Sequence, residues 1–269
     1  MSRNKQRTAA ATDAAAATTA PATPAAPATL SYVTPTEFVE LPSRGKFYPS
    51  DHSLHNKEVI EMRFMTAKDE RLIENLIVET NVNVNDLLLG DKNAVILAAR
   101  ISGYGEQYNV NVTCPNCEAS IEHQFDLSEI PHQNGTIPED DNEDVYLTPE
   151  GTFVAKLPKS QFSVEFKLLT GQDEEYLEKV ALKTKKLNLP EASATNLLKR
   201  LVVSVNDVNV TSEINNFIDN MPAQDARFLR ACVVTVTPNV DMTQEVDCSS
   251  CGTLSEMAVP FTSEFFWPN

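Results

Sequence analysis

The 269-residue chain carries 38 acidic side chains against 22 basic ones, a formal net charge of −16. A body this acidic repels nucleic acid unless a local basic patch overrides the field, and no run approaches the roughly 18 consecutive apolar residues of a membrane span. Of five cysteines, four fall in CxxC pairs, which is unlike a secreted disulfide framework, so reduced thiols are expected.

Residues 1–29 read MSRNKQR followed by Ala, Thr and Pro. They have almost nothing to bury and are expected to form a disordered arm. Pro21, Pro24 and Pro27 interrupt the stretch, and it lacks the apolar centre of a signal peptide. Arg3, Lys5 and Arg7 against Asp13 give the arm +2, leaving about −18 on the rest. Residues 30–57, with EFVELPSRGKFYPSD, form an extended interaction segment in which Pro42, Gly45 and Pro49 resist regular structure. Arg44, Lys46, Phe47 and Tyr48 are its candidate partner-binding residues. His52 and His55, in a Pro-flanked loop, make no convincing ligand pair.

A first α+β half spans 58–128. In VIEMRFMTAKDERL a strand runs into Thr66, an N-cap with Asp69 three positions later, the pattern of a capping box. GDKNAVILAARISG continues as a helix that Asp91 can start, and the glycines of ISGYGEQY read as its C-cap and turn. YNVNVTCPNC is a strand ending in a knuckle with Cys114 and Cys117, and SIEHQFDL is a further strand. Residues 129–162, rich in acid, Pro, Asn and Gly, read as a linker or exposed loop.

The second half, 163–269, repeats this order. Val164–Thr170 fall on Ile60–Thr66, and Asp173-Glu174 on Asp69-Glu70. Lys183, Lys185 and Lys186, beside Glu174, Glu175 and Glu178, make a solvated helix face. PAQDARFLRACVVT aligns Ala226, Phe228, Leu229 and Ala231 with Ala94, Ile96, Leu97 and Ala99; a residue near Met221 starts this helix, and Pro222 suits its first turn. Cys232 lies on its apolar face as a small core residue. MTQEVDCSSC then brings Cys248 and Cys251 in a second knuckle, followed by LSEMAVPF. In the aromatic tail, Phe265, Phe266 and Trp267 either pack on their own core or form a second partner surface.

The same order twice, each time ending in CxxC, points to an internal duplication; the alternative is two unrelated α+β segments with similar helix starts. The fold class is therefore α+β: two pseudo-repeated halves joined through a shared CxxC…CxxC zinc-ribbon-like element, with a disordered arm. Cys114, Cys117, Cys248 and Cys251 would supply four thiolates to one structural zinc, leaving no open coordination position. About 130 residues separate the pairs, far beyond the usual ribbon spacing, but loop-closure cost grows only logarithmically. The alternatives are two metal-free pairs, a knuckle decayed in one half, or a redox CxxC; neither pair opens a helix after a strand as a redox pair does. His123 would matter only if one cysteine were not a ligand.

No Gly-rich phosphate loop, GxSxG or HExxH is present. The acidic pairs Asp69-Glu70 and Asp173-Glu174 are explained by capping and the helix dipole. The residues thus describe an interaction protein, not an enzyme.

FVELPSRGKFYP, IEMRFMTAKDE, LLLGDKNAVILAARISGYGEQY and CPNC, from about Phe38 to Leu127, are together similar to the T-even-like bacteriophage baseplate protein family, the hub subunits of contractile tails. The resemblance implies a non-enzymatic tail component, either a subunit of the baseplate hub or a factor that assembles it. Its partners would be other baseplate and tail subunits or further copies of itself. It would be assembled in the host bacterial cytoplasm and carried in the virion. The family supplies no catalytic residues. The alternative reading is a zinc-ribbon adaptor of a phage or host replication or transcription complex, which a basic groove would favour and the charge opposes.

Overall fold

A computed structural model describes residues 34–66, 76–78, 82–136, 145–187, 192–260 and 265. The arm at 1–29, the helix expected after Thr66 with its Asp69, the acid-rich 137–144 and the side chains of Phe266 and Trp267 lie outside the described residues.

Strands β1 (Thr36–Glu40) and β2 (Val59–Arg63) pair antiparallel, with Val39 opposite Ile60. Ile60 and Met62 are buried and alternate with partly exposed Glu61 and Arg63, the two-residue period of a half-buried strand. The segment between them is not extended. It folds into successive turns, Arg44 N donating to Leu41 O, Lys46 N to Ser43 O and His55 N to His52 O. Gly45 (φ +69°) sits where an added Cβ would lie 2.4 Å from Leu54 O, so this turn requires glycine. Leu41, Phe47, Tyr48 and Leu54 are buried, and the Phe47 ring lies 5.5 Å from that of Phe153. Phe47 and Tyr48 therefore face inward rather than toward a partner, because burying four apolar side chains outweighs leaving them in water. Arg44 and Lys46 remain exposed.

Helix α1 (Leu89–Tyr104) ends at Gly105, φ +87°, whose N–H donates to Ile101 O, as the glycine pattern predicts. Its start differs. The N-cap is Leu88, with no side-chain cap, and Asp91 is the third residue of the helix. Asp91 is fully buried. It accepts from Ser43 N at 2.9 Å, Ser43 Oγ at 2.6 Å and Tyr48 Oη at 2.7 Å. Burial pushes its carboxyl above the usual range, while these donors pull it back. Burial and the adjacent carboxylate drive the Tyr48 phenol well above its ordinary value, so it stays protonated and donates.

Two antiparallel strands follow, β3 (Gln107–Thr113) and β4 (Ser120–Asp126), then the short β5 (His132–Gln133). The stretch expected as a linker contains β5 and two further strands, β6 (Val145–Leu147) and β7 (Phe153–Lys156). Their short apolar runs sit among acids, prolines and glycines that mask them in the sequence. With β8 (Ser163–Phe166) and β9 (Val202–Val205) they form a four-stranded antiparallel sheet in the order β6-β7-β8-β9.

Helix α2 (Gly171–Lys186) has the predicted capping box: the Thr170 side chain accepts from Asp173 N, and the Asp173 carboxylate accepts from Thr170 N. Asp173 also receives Lys167 Nζ at 2.6 Å and pairs with Arg200 of α3 (Ser193–Leu201). After β9, α4 (Thr211–Asp219) leads to α5 (Ala223–Val236). The N-cap of α5 is Pro222, just outside its first turn, and Cys232 is half-buried against the core. Asp225, fully buried at the third position of α5, accepts from Lys159 N at 2.7 Å and Ser160 N at 2.9 Å, in the turn between β7 and β8. Strand β10 (Asn239–Val240) pairs with β5, and the chain closes with the antiparallel pair β11 (Thr243–Asp247) and β12 (Leu254–Ala258).

Buried residues from both parts of the chain form one core, in which Ile60, Leu97, Phe125, Phe166 and Leu229 all take part. Leu89 N donates to Leu169 O at 2.8 Å and Gly171 N to Leu87 O at 3.0 Å, joining the starts of α1 and α2. Among the described residues no helix is long and apolar enough to cross a membrane.

Asp91→Ala removes three hydrogen bonds to a buried carboxylate and should cost about 3 kcal/mol, read as a lower urea midpoint at unchanged slope; Tyr48→Phe should cost roughly half of that. For Asp173, burial alone would raise the pKa, but the hydrogen bonds from Lys167 and Thr170 and the charges of Lys167 and Arg200 hold it below the usual carboxylate range. Its stabilisation is complete above the unfolded value of about 3.9 and is lost as pH falls through the lower folded value. Asp173→Asn should flatten the fall in melting temperature between pH 5 and 2, and an unchanged acid limb would refute this role.

Candidate metal centre

The β3–β4 and β11–β12 hairpins are built alike. In β3, Tyr108, Val110 and Val112 are buried and alternate with exposed Gln107, Asn109, Asn111 and Thr113, as the β-rich run before the knuckle predicts. In both hairpins the CxxC pair forms the turn. Cys114 N donates to Ala119 O (2.9 Å) and Glu118 N to Cys114 O (2.9 Å). Cys248 N donates to Thr253 O (3.1 Å) and Gly252 N to Cys248 O (2.7 Å). The residue after each second cysteine is left-handed, Glu118 at φ +58° and Gly252 at φ +66°. Gly252 adopts this freely; Glu118 does so at a cost of about 1 kcal/mol.

The hairpins stand side by side. At their base the Gln244 side-chain amide acts as an extra peptide unit, donating to Asp126 O at 2.5 Å and accepting from Asp126 N at 3.3 Å. Farther along, Tyr108 Oη donates to Pro260 O at 3.2 Å. At the tips, the Asn116 side-chain amide crosses to Thr253 Oγ1 (3.1 Å) and Cys251 Sγ (3.6 Å). Nothing in the sequence marks Gln244, Asn116 or Thr253 for these roles, since their partners lie over a hundred residues away.

Four sulfurs converge between the tips. Cys114 Sγ lies 3.8 Å from Cys251 Sγ, Cys117 Sγ lies 3.7 Å from Cys248 Sγ, and all four are within 4.8 Å of one another. A tetrahedron with metal–sulfur bonds of about 2.3 Å has sulfur edges of about 3.8 Å, so the two closest contacts already match the edge of such a site. Cys114 and Cys248 are buried; Cys117 and Cys251 are exposed.

The thiols are electrostatically unequal. The N–H groups of Cys117 and Asn116 hold the Cys114 thiol below its ordinary range, and Thr253 and Asn116 bring Cys251 down to about 6. At Cys117 a backbone hydrogen bond from Ala119 lowers the pKa, but the neighbouring thiols, Cys251 foremost, drive it up to about 12. Four sulfurs this close cannot all ionise unless a cation shares the space. The cluster is compatible with a metal site. His123 is not among its members; its ring packs edge-on against Phe125 at 4.6 Å.

The first hairpin is anchored to α1 by Arg100. Its buried guanidinium donates to Gly105 O (2.8 Å) and Gln107 O (3.2 Å) and lies over the rings of Tyr104, Tyr108 and Phe265 at 5.4, 5.7 and 5.8 Å. Burial lowers its pKa. Phe265 is fully buried edge-on to Tyr108, so this aromatic of the tail serves the chain's own core instead of a partner.

Comparison with curated proteins and with solved structures gave no match. A family model described as T4 bacteriophage base plate protein matches residues 36–267, which takes in both hairpins, both knuckles and all five helices of the described residues. The chain belongs to the T4 bacteriophage base plate protein family.

Proposed function

We propose that the chain works in the hub of a contractile-tail baseplate, as a hub subunit or as the factor that assembles the hub, by protein–protein contact and without catalysis. The observation that carries this reading is the family match over 36–267; the hub is the finer assignment that the resemblance of residues 38–127 supports. The protein is assembled in the host bacterial cytoplasm and reaches the virion tail, where its partners are other baseplate subunits. Arg44 and Lys46, exposed on the tight turn after β1, belong to the contact surface.

Cys114, Cys117, Cys248 and Cys251 are the ligands of one structural zinc. The sulfur spacing supports this assignment, as does the ligand chemistry: four thiolates suit zinc and leave no position for a substrate. Zinc bound here supplies a cross-link between the two hairpins. The halves 58–128 and 163–269 arose by duplication; the matching hydrogen bonds of the two knuckles and a buried aspartate at the third position of both α1 and α5 support it, in a register two residues away from the one that sets Ala226 on Ala94.

Metal analysis by mass spectrometry should find one zinc per chain, lost in both Cys114→Ser and Cys248→Ser. A wild type without zinc, or full zinc in either variant, would sink the shared site. Quantitative proteomics of purified phage tests the hub assignment: a subunit is present in every particle, whereas an assembly factor is absent from particles but required for complete tails. Complete, infective tails formed without the protein would overturn both.

A further inference from the structure

The outer face of α2 is exposed and belongs to a single stripe. Lys179, Leu182, Lys183, Lys186 and Leu187 are spaced i, i+3, i+4, i+7 and i+8, so they share one side of the helix and its C-cap. Leu182 is 51% and Leu187 68% exposed. Two leucines in water, flanked by three lysines, form a basic apolar ridge on a chain of net charge −16. Only Lys179 of these lysines has an ion-pair partner among the described residues, Glu175 on its own helix.

The outer face of the β11–β12 hairpin is the reverse. Glu245 stands directly opposite Glu256, and Asp247 directly opposite Leu254. All four are exposed, Leu254 by 60%. Like charges directly across a strand pair are destabilising, and no Lys or Arg occurs from residue 231 to the last residue of the sequence to relieve them. No ion pair among the described residues reaches these carboxylates. The two faces lie on different elements, α2 and the β11–β12 hairpin. α2 starts beside the start of α1, through Gly171 N to Leu87 O and Lys92 to Glu174 at 2.8 Å. The hairpins are rooted at the other end of α1, a helix about 24 Å long, through Arg100, Asp126 and Gln244.

We propose that the lysine–leucine ridge of α2 docks on the acidic outer face of the β11–β12 hairpin of a second copy of this chain, joining copies head to tail. Lys183 and Lys186 meet Glu245, Glu256 and Asp247, and Leu182 and Leu187 cover Leu254. A contact between two different faces propagates into a ring where the rotation closes and a filament where it does not. The contact rests on these two surfaces and not on the baseplate assignment, so its failure would leave that assignment standing.

Sedimentation velocity of the zinc-loaded full chain tests this. The weight-average mass should rise with concentration at low salt and return to monomer in about 1 M salt, where the screening length is about 3 Å. Lys183→Gln with Lys186→Gln, or Glu245→Gln with Glu256→Gln, should each weaken association at least tenfold while circular dichroism and zinc content stay unchanged. An equimolar mixture of the two variants retains one intact pair of faces and should form a dimer that grows no further. A wild type that stays monomeric at low salt, variants that associate like wild type, or a mixture no different from its components would each overturn the proposal.

Discussion

Three aspartates at the third position of their helices fix the positions of the helices that carry the rest of the fold. Asp91, Asp173 and Asp225 are all buried at the end of a helix where unpaired N–H groups and the dipole favour negative charge. Burying a carboxylate is costly unless donors surround it. Each of the three has at least one donor on a distant element. Asp91 holds the turn after β1 on α1, Asp225 holds the β7–β8 turn on α5, and Asp173 holds α3 on α2. Because the helices are tied to turns and not only packed on them, α1 cannot slide along its axis without breaking charged hydrogen bonds. That fixed axis sets where Arg100 plants the first hairpin.

The sulfur cluster depends on this placement but not on metal alone. Asn116 with Thr253 at the tips, and Gln244 with Asp126 at the base, join the two hairpins directly. A metal ion bound here would therefore meet thiols already gathered, and less of its binding energy would go into ordering the chain. The unequal thiols point the same way: two are drawn toward ionisation by local donors, and the most reluctant, Cys117, is held back by its neighbours.

What the sequence revealed was local. The Thr170–Asp173 capping box, the Gly105 C-cap and the alternation in β3 each depend on residues within one or two turns of each other, and each appears in the structure. The CxxC pairs announced themselves by spacing, although their meeting across 131 and 137 positions rested on chemistry and on the repeat. Asp91 read as an ordinary helix-start acid because Ser43 and Tyr48 lie more than forty positions away. Phe47 and Tyr48 read as partner contacts because an aromatic beside a basic residue says nothing about which way its ring points. Strands β6 and β7 were hidden because three or four apolar residues carry too short a period to stand out from acidic loop.

The cluster draws its sulfurs from both parts of the chain, so it cannot form until both have been synthesised. Ribosomes extend a chain by about 5–20 residues per second, so Cys114 and Cys117 exist for on the order of ten seconds before Cys251 is made. During that interval the first hairpin lacks both its neighbour and half of the sulfur cluster. A polypeptide that stops early never acquires the second pair of sulfurs. Closure of the two hairpins thus reports that translation has passed Cys251, and an assembly that accepts only the closed form would reject copies truncated before it.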